Sequence, residues 1–103
     1  MRLPPALAAT ATPRILELLG PGPGRVLEVG FAGIHARPLE LAGWTVEVHE
    51  PDREFLARAR ERSEHVVERP EGRYDVVVAP ADARLDGIDA ARVLLVERDG
   101  SVR

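Results

Sequence analysis

The run Arg25-Val-Leu-Glu-Val-Gly-Phe-Ala-Gly-Ile34 constrains this chain more than any other stretch. Val26, Leu27 and Val29 are strand formers of the kind that fill the centre of a parallel sheet. Gly30 and Gly33 follow, letting the backbone turn tightly and approach a ligand with no Cβ in the way. In open α/β sheets ligands bind at the carboxyl ends of strands, where such turns lie. The rest of the chain reads as support for that edge.

The remaining elements alternate around it. Thr12-Pro13 reads as the N-cap and first residue of a helix that Gly20 stops, with Ile15, Leu16, Leu18 and Leu19 as its apolar stripe. Residues 3–11 add another turn or two, so 1–20 form an N-terminal helical segment. Gly20-Pro-Gly-Pro-Gly24 is a connector. After the central strand, Pro38 requires a helix that begins near residues 35–37, with Leu39, Leu41 and Ala42 on its buried face. Thr45–Glu50 alternates as a second strand behind Trp44, and Pro51-Asp52 opens a helix reaching Arg62, with Phe55, Leu56 and Ala59 inward and Glu54 paired to Arg58 outside. Tyr74–Ala79 is a third strand stopped by Pro80, a short helix is expected near residues 84–90, and Val93–Val96 is a fourth strand. Asp99-Gly100 is a hairpin signal, so residues 101–103 fold back as a short antiparallel edge.

Strands alternating with helices imply an α/β fold with about four parallel strands. Residues 65–68 are extended, but distance argues against a full parallel strand there. The five residues 69–73 reach at most about 17 Å, short of a return along a strand plus three spacings of about 4.8 Å. They are expected to form a short or irregular extension.

At 103 residues the chain is read as one domain, 1–103. A net charge of −3 gives no electrostatic case for nucleic acid or an anionic membrane. The absence of cysteine removes disulfides, thiol nucleophiles and Cys-based metal sites. All 14 basic residues other than histidine are arginine, so no lysine is available as a nucleophile or Schiff base. No run is long enough to span a membrane. The apolar first dozen residues are interrupted by Pro4 and Pro5 and carry only Arg2, so a secretory signal is not expected and the cytoplasm is the expected location.

Candidate site features fall on one edge. Gly30–Gly33 ends the first strand, Glu50 ends the second, and Pro80-Ala-Asp82 follows the third. Amides in a glycine turn ahead of a helix suit a carboxylate or phosphate, and an acid ending the next strand suits a pair of ribose hydroxyls. Glu50 lies 20 residues after Gly30, the spacing of that role.

These residues carry a family resemblance. Val26-Leu-Glu-Val-Gly30 resembles motif I of the class I S-adenosylmethionine-dependent methyltransferases, with Glu28 as the acid two residues before the first glycine. Val46-Glu-Val-His-Glu50-Pro-Asp resembles that family's second strand with its terminal ribose-binding acid, and Tyr74-Asp-Val-Val-Val its fourth-strand phrase. The resemblance implies a Rossmann-like open three-layer sandwich and S-adenosylmethionine as cofactor, held by Glu28, Gly30, Ala32, Gly33 and Glu50. Ala32 stands where the family has its second glycine, and Gly33 is next to it. The antiparallel tail that completes the family's sheet is nearly absent, and no insertion is present to bind a methyl acceptor. The implied function is therefore an adenosylmethionine-binding, methyltransferase-like protein; the alternative is a non-catalytic binding or interaction module without the substrate-binding half. A nicotinamide dinucleotide fits less well, because Gly30-x-Ala32-x-x-His35 breaks that fingerprint at two of its three glycines.

Other residues have plainer readings. His35 is a candidate general base but reads first as a solvated loop histidine. Asp52 reads as a helix cap, Trp44 as packing at a strand mouth, and Asp82 as surface loop. His35, His49 and His65 have no metal-ligand spacing. A small core and an uncovered sheet edge suggest a homodimer or a protein partner.

Overall fold

The computed structural model describes residues 2–103. Its strands are β1 (Arg25–Val29), β2 (Thr45–His49), β3 (Arg73–Pro80) and β4 (Asp89–Val96), and they form one sheet in the order β2-β1-β3-β4. Every neighbouring pair is parallel: Val26 lies between Val46 and Val76, and Val77 lies beside Val93. The helices are α1 (Pro5–Thr10), α2 (Thr12–Leu19), α3 (Ala36–Leu41) and α4 (Arg53–Arg62). This is the expected α/β class, a Rossmann-like arrangement with β1 at its centre.

Strand alternation divides the core in two. On one face Val26, Val46, Val48, Val76 and Val78 pack with Ala8, Ile15, Ala36, Leu39 and Ala59, so all four helical segments contribute to this layer or flank it. On the other face Leu27, Val29, Val77 and Ala79 are covered by Val67, Ala83, Leu85, Ile88 and Leu95. The outer layer of that second face thus contains no helix and is built of turns and irregular chain.

The helix expected near residues 84–90 is not formed, and register explains why. Arg73 pairs with Asp89 and Pro80 with Val96, so residues 81–88 must return along the whole length of β3. That journey is roughly 23 Å plus one strand spacing, whereas an eight-residue helix rises only about 12 Å. The connection instead runs as irregular chain with a tight turn near each end, Ala83 bonding to Pro80 (2.9 Å) and Ile88 to Leu85 (3.1 Å), and Asp89–Arg92 become strand.

Residues 65–68 behave as the distance argument requires. They form a single parallel bridge, Val66 to Val48, with the Val48 amide donating to His65 (2.9 Å) and the Val67 amide to Val48 (2.8 Å). Val102 bridges back to Val96 in the antiparallel sense, giving the expected short C-terminal edge.

Three local expectations are corrected. Leu41 is 73% exposed, because α3 ends there and turns it outward. Thr12 does not cap α2; Ala11 precedes the helix, and the Thr12 hydroxyl shares a 2.7 Å hydrogen bond with Nδ1 of His35. Glu54 and Arg58 form no ion pair among the described residues, and the Arg58 guanidinium lies 5.7 Å from the centre of the Phe55 ring.

Candidate functional site

The turn after β1 is held by the chain's own carboxylates. Glu28 points to the helical face, is fully buried, and accepts hydrogen bonds from the amides of Gly33 and His35, both at 2.7 Å. A glutamate two residues before the turn is long enough to reach forward in this way, to amides five and seven residues on. Gly30 (φ +78°), Ala32 (φ +51°) and Gly33 (φ +79°) are left-handed. Ala32 therefore adopts a glycine-like conformation without being glycine, at a cost of roughly 1–2 kcal/mol. Gly33 also allows α4 to approach, since a Cβ there would lie 3.1 Å from Cβ of Arg62.

The turn does not offer a row of amides to an anion. The amide of Gly30 donates to His49 (3.0 Å), Ile34 to Phe31 (3.1 Å) and Ala32 to Oε1 of Glu50 (2.9 Å), in addition to the two bonds to Glu28. Phosphate cradling, as read from the glycines alone, has no donors among these amides. What the turn supplies to the cleft is the Gly30 backbone, set beside the Pro80 ring, which would lie 3.4 Å from a Cβ added there.

Glu50 sits at the carboxyl end of β2, as its spacing from Gly30 requires. Its side chain is fully buried beneath Arg2, whose Nη2 donates to Oε1 at 2.6 Å and Nη1 to Oε2 at 3.1 Å. The amide of Asp52 adds a 3.0 Å bond to Oε2. The Arg2 guanidinium also stacks 3.7 Å above the Phe55 ring. Burial pushes the Glu50 carboxyl up, but Arg2 and the amides of Asp52 and Ala32 outweigh it and hold the group below its ordinary value.

Glu28 behaves oppositely. Burial, helped by the neighbouring Glu50 charge, raises its pKa to about 7 despite the lowering effects of the His35 and Gly33 amides and of Arg62. His35 is not a solvated loop residue. It is buried, packs edge-on against Phe31 with ring centroids 4.8 Å apart, and burial lowers its pKa to about 4. Its Nε2 has no hydrogen-bond partner. A neutral, enclosed imidazole that touches no cleft is not a general base in this state.

A cleft of about 390 Å³ opens beside this corner, walled by Val29, Gly30, His49, Pro51, Pro80 and Asp82, with Arg2 at its rim. That volume falls within the range of small-molecule sites. A second cleft of about 720 Å³, which Glu50 lines, lies between α4 and residues 66–68. His49 and Pro51 line both, and Nδ1 of His49 is 3.1 Å from the Val67 carbonyl.

The structure therefore brings Glu28, Gly30, Ala32, Gly33 and Glu50 into one corner, with Glu28 bonded to Gly33 and Glu50 to Ala32. Asp82 is exposed and reaches the cleft wall from the end of β3. Asp52 caps α4 through the Glu54 amide (3.0 Å). Trp44 lies at the opposite end of the strands, its Nε1 donating to the Gly20 carbonyl at 3.0 Å. Arg2 and Arg62 are the residues that sequence reasoning missed; Arg62 donates to the Ala32 carbonyl at 3.1 Å. Nothing local marks either, because each finds its partner across 30 or more positions: Arg2 to Glu50 over 48 and Arg62 to Ala32 over 30. Among the described residues, no group of His, Asp and Glu is placed to hold a metal ion, and no helix is long and apolar enough to cross a membrane. No protein-family model matches this chain, and a search of curated proteins finds no match to it.

Proposed function

We propose that this chain is a methyltransferase-like module that binds an adenosyl ligand, S-adenosylmethionine by resemblance, at the carboxyl edge of its sheet. The supporting observation is the contact between Glu50 and Ala32: it joins the acid suited to a ribose diol to the glycine-bearing turn, beside a cleft lined by Gly30 and by Arg2, the residue that covers that acid. The ribose would meet Glu50, and the remainder of the ligand would lie across Gly30 and the Pro80 ring, which line the cleft together. Methyl transfer needs chiefly proximity and in-line orientation of acceptor and sulfonium, so a partner or second copy that closed the cleft could complete an active site.

A second reading, a non-catalytic binding or interaction module, is favoured by one specific observation. The Glu50 carboxylate and the amides of Gly30, Ala32, Gly33, Ile34 and His35 are satisfied by the chain's own groups.

Isothermal titration with S-adenosylmethionine and S-adenosylhomocysteine, with NAD as control, separates the two. The first reading expects micromolar binding of the adenosyl compounds and none of NAD, with the affinity lost in Glu50→Gln while the thermal melt shows that variant folded. Absence of heat with every nucleotide at millimolar concentration would replace it with the second.

A further inference from the structure

The two oxygens of Glu50 accept four hydrogen bonds, which uses the acceptor capacity of an ionised carboxylate. Oε1 takes Nη2 of Arg2 and the Ala32 amide; Oε2 takes Nη1 of Arg2 and the Asp52 amide. The two amides belong to the turn and to the start of α4 and are fixed by the fold. The two guanidinium bonds are not, because residues 2–4 form no regular element. Removing Arg2 would open one acceptor position on each oxygen. Two adjacent O–H donors, such as a ribose 2′,3′-diol, would fill that pattern.

We propose that Arg2 is a built-in occupant of the diol position, making residues 2–4 a strap that a ribonucleoside must displace. The proposal rests on the adenosyl-binding reading above. The guanidinium fits the role because its paired N–H donors match a carboxylate in the same two-point geometry. Stacking on Phe55 at 3.7 Å holds it in place, and its position at the rim of the cleft puts it in the path of any ligand bound to Glu50. Leu3 continues the strap into a neighbouring cavity of about 500 Å³ beside Pro80 and Val96. The competent state is the one with Arg2 released, so apparent affinity is reduced by the fraction of molecules in that state.

The test compares the unaltered chain, Arg2→Ala and Arg2→Lys in titrations with adenosine, S-adenosylhomocysteine and 2′-deoxyadenosine. Hydrogen bonds to a charged group of this kind predict a gain of roughly tenfold or more for the two ribonucleosides in Arg2→Ala. Arg2→Lys should fall between, since an ammonium keeps the charge but loses the two-point fit. The gain should vanish with 2′-deoxyadenosine, which has no vicinal diol. Equal ribonucleoside affinity in the unaltered chain and Arg2→Ala, with both folded by circular dichroism, overturns the strap alone. An equal gain with the deoxynucleoside overturns the diol mimicry. No binding to any of the three chains overturns the adenosyl reading and the strap with it.

Discussion

Glu28 and His35 are adjacent buried titratable groups with opposite displacements, and their effects on stability oppose each other. His35 titrates near 4 in the fold against 6.5 ordinarily, so the unfolded chain takes up its proton first and stability falls as pH drops from 6.5 to 4. Glu28 titrates near 7 against 4.5, so the unfolded chain loses its proton first and stability falls as pH rises from 4.5 to 7. Between 4.5 and 6.5 the two slopes cancel, which predicts a flat stability profile for the native chain there. His35→Leu removes one arm. Urea unfolding of that variant should then show stability declining by about 3 kcal/mol from pH 4.5 to 7. A flat profile in His35→Leu would show that Glu28 remains ionised in the fold throughout.

The β1–α3 turn and the β3–β4 connection are the elements with most to test. Gly33→Ala must adopt φ +79° and bring a Cβ within 3.1 Å of Arg62, so it should lose about 2 kcal/mol or more in chemical denaturation. The second face of the sheet is covered by non-helical chain, which makes few hydrogen bonds of its own. Native-state hydrogen exchange should therefore find residues 81–88 opening at far lower free energy than the amides of Val26–Val29, which are buried within the central strand. Equal protection in the two segments would mean that the connection opens only with the whole domain. The distribution of what was legible follows from the same physics. Apolar runs and glycine punctuation announce β1, β2, β3 and α4 locally. Asp89-Ala-Ala-Arg92 has helical character of its own, and only pairing with β3 makes it strand.

At the scale of the whole molecule, the edge formed by β4 is incompletely closed. Leu95 exchanges both backbone hydrogen bonds with Arg103 (2.9 and 3.0 Å), so alternation turns the backbone groups of Val93 and Ala91 outward beyond the reach of that tail. Val93 is 42% exposed, and no described strand pairs with it on that side. Such an edge invites pairing with a second copy. Sedimentation at high micromolar concentration should detect a dimer, and Val93→Lys should return it to monomer. A monomer at every concentration would show that the edge is tolerated unpaired.

The α/β class, the central strand with its glycine turn, and the placing of Gly30, Gly33 and Glu50 on one sheet edge are legible in the amino-acid sequence, whereas Glu28 and Ala32 entered that corner through the family resemblance. The legible features depend on periodicity, on backbone permissiveness and on spacing along adjacent strands, all of which are local. The sequence by itself also determined that residues 65–68 could not be a full strand, because chain length bounds reach. That the second face is covered by non-helical chain follows from the register of Arg73 with Asp89, which is set by strand pairing in space. The state of the site is likewise a tertiary property. Arg2 meets Glu50 across 48 positions, and His35 becomes a neutral core residue only because α2 brings Thr12 and the surrounding apolar groups against it. Charge and burial at a site are set by neighbours in space, and no local pattern encodes which ones arrive.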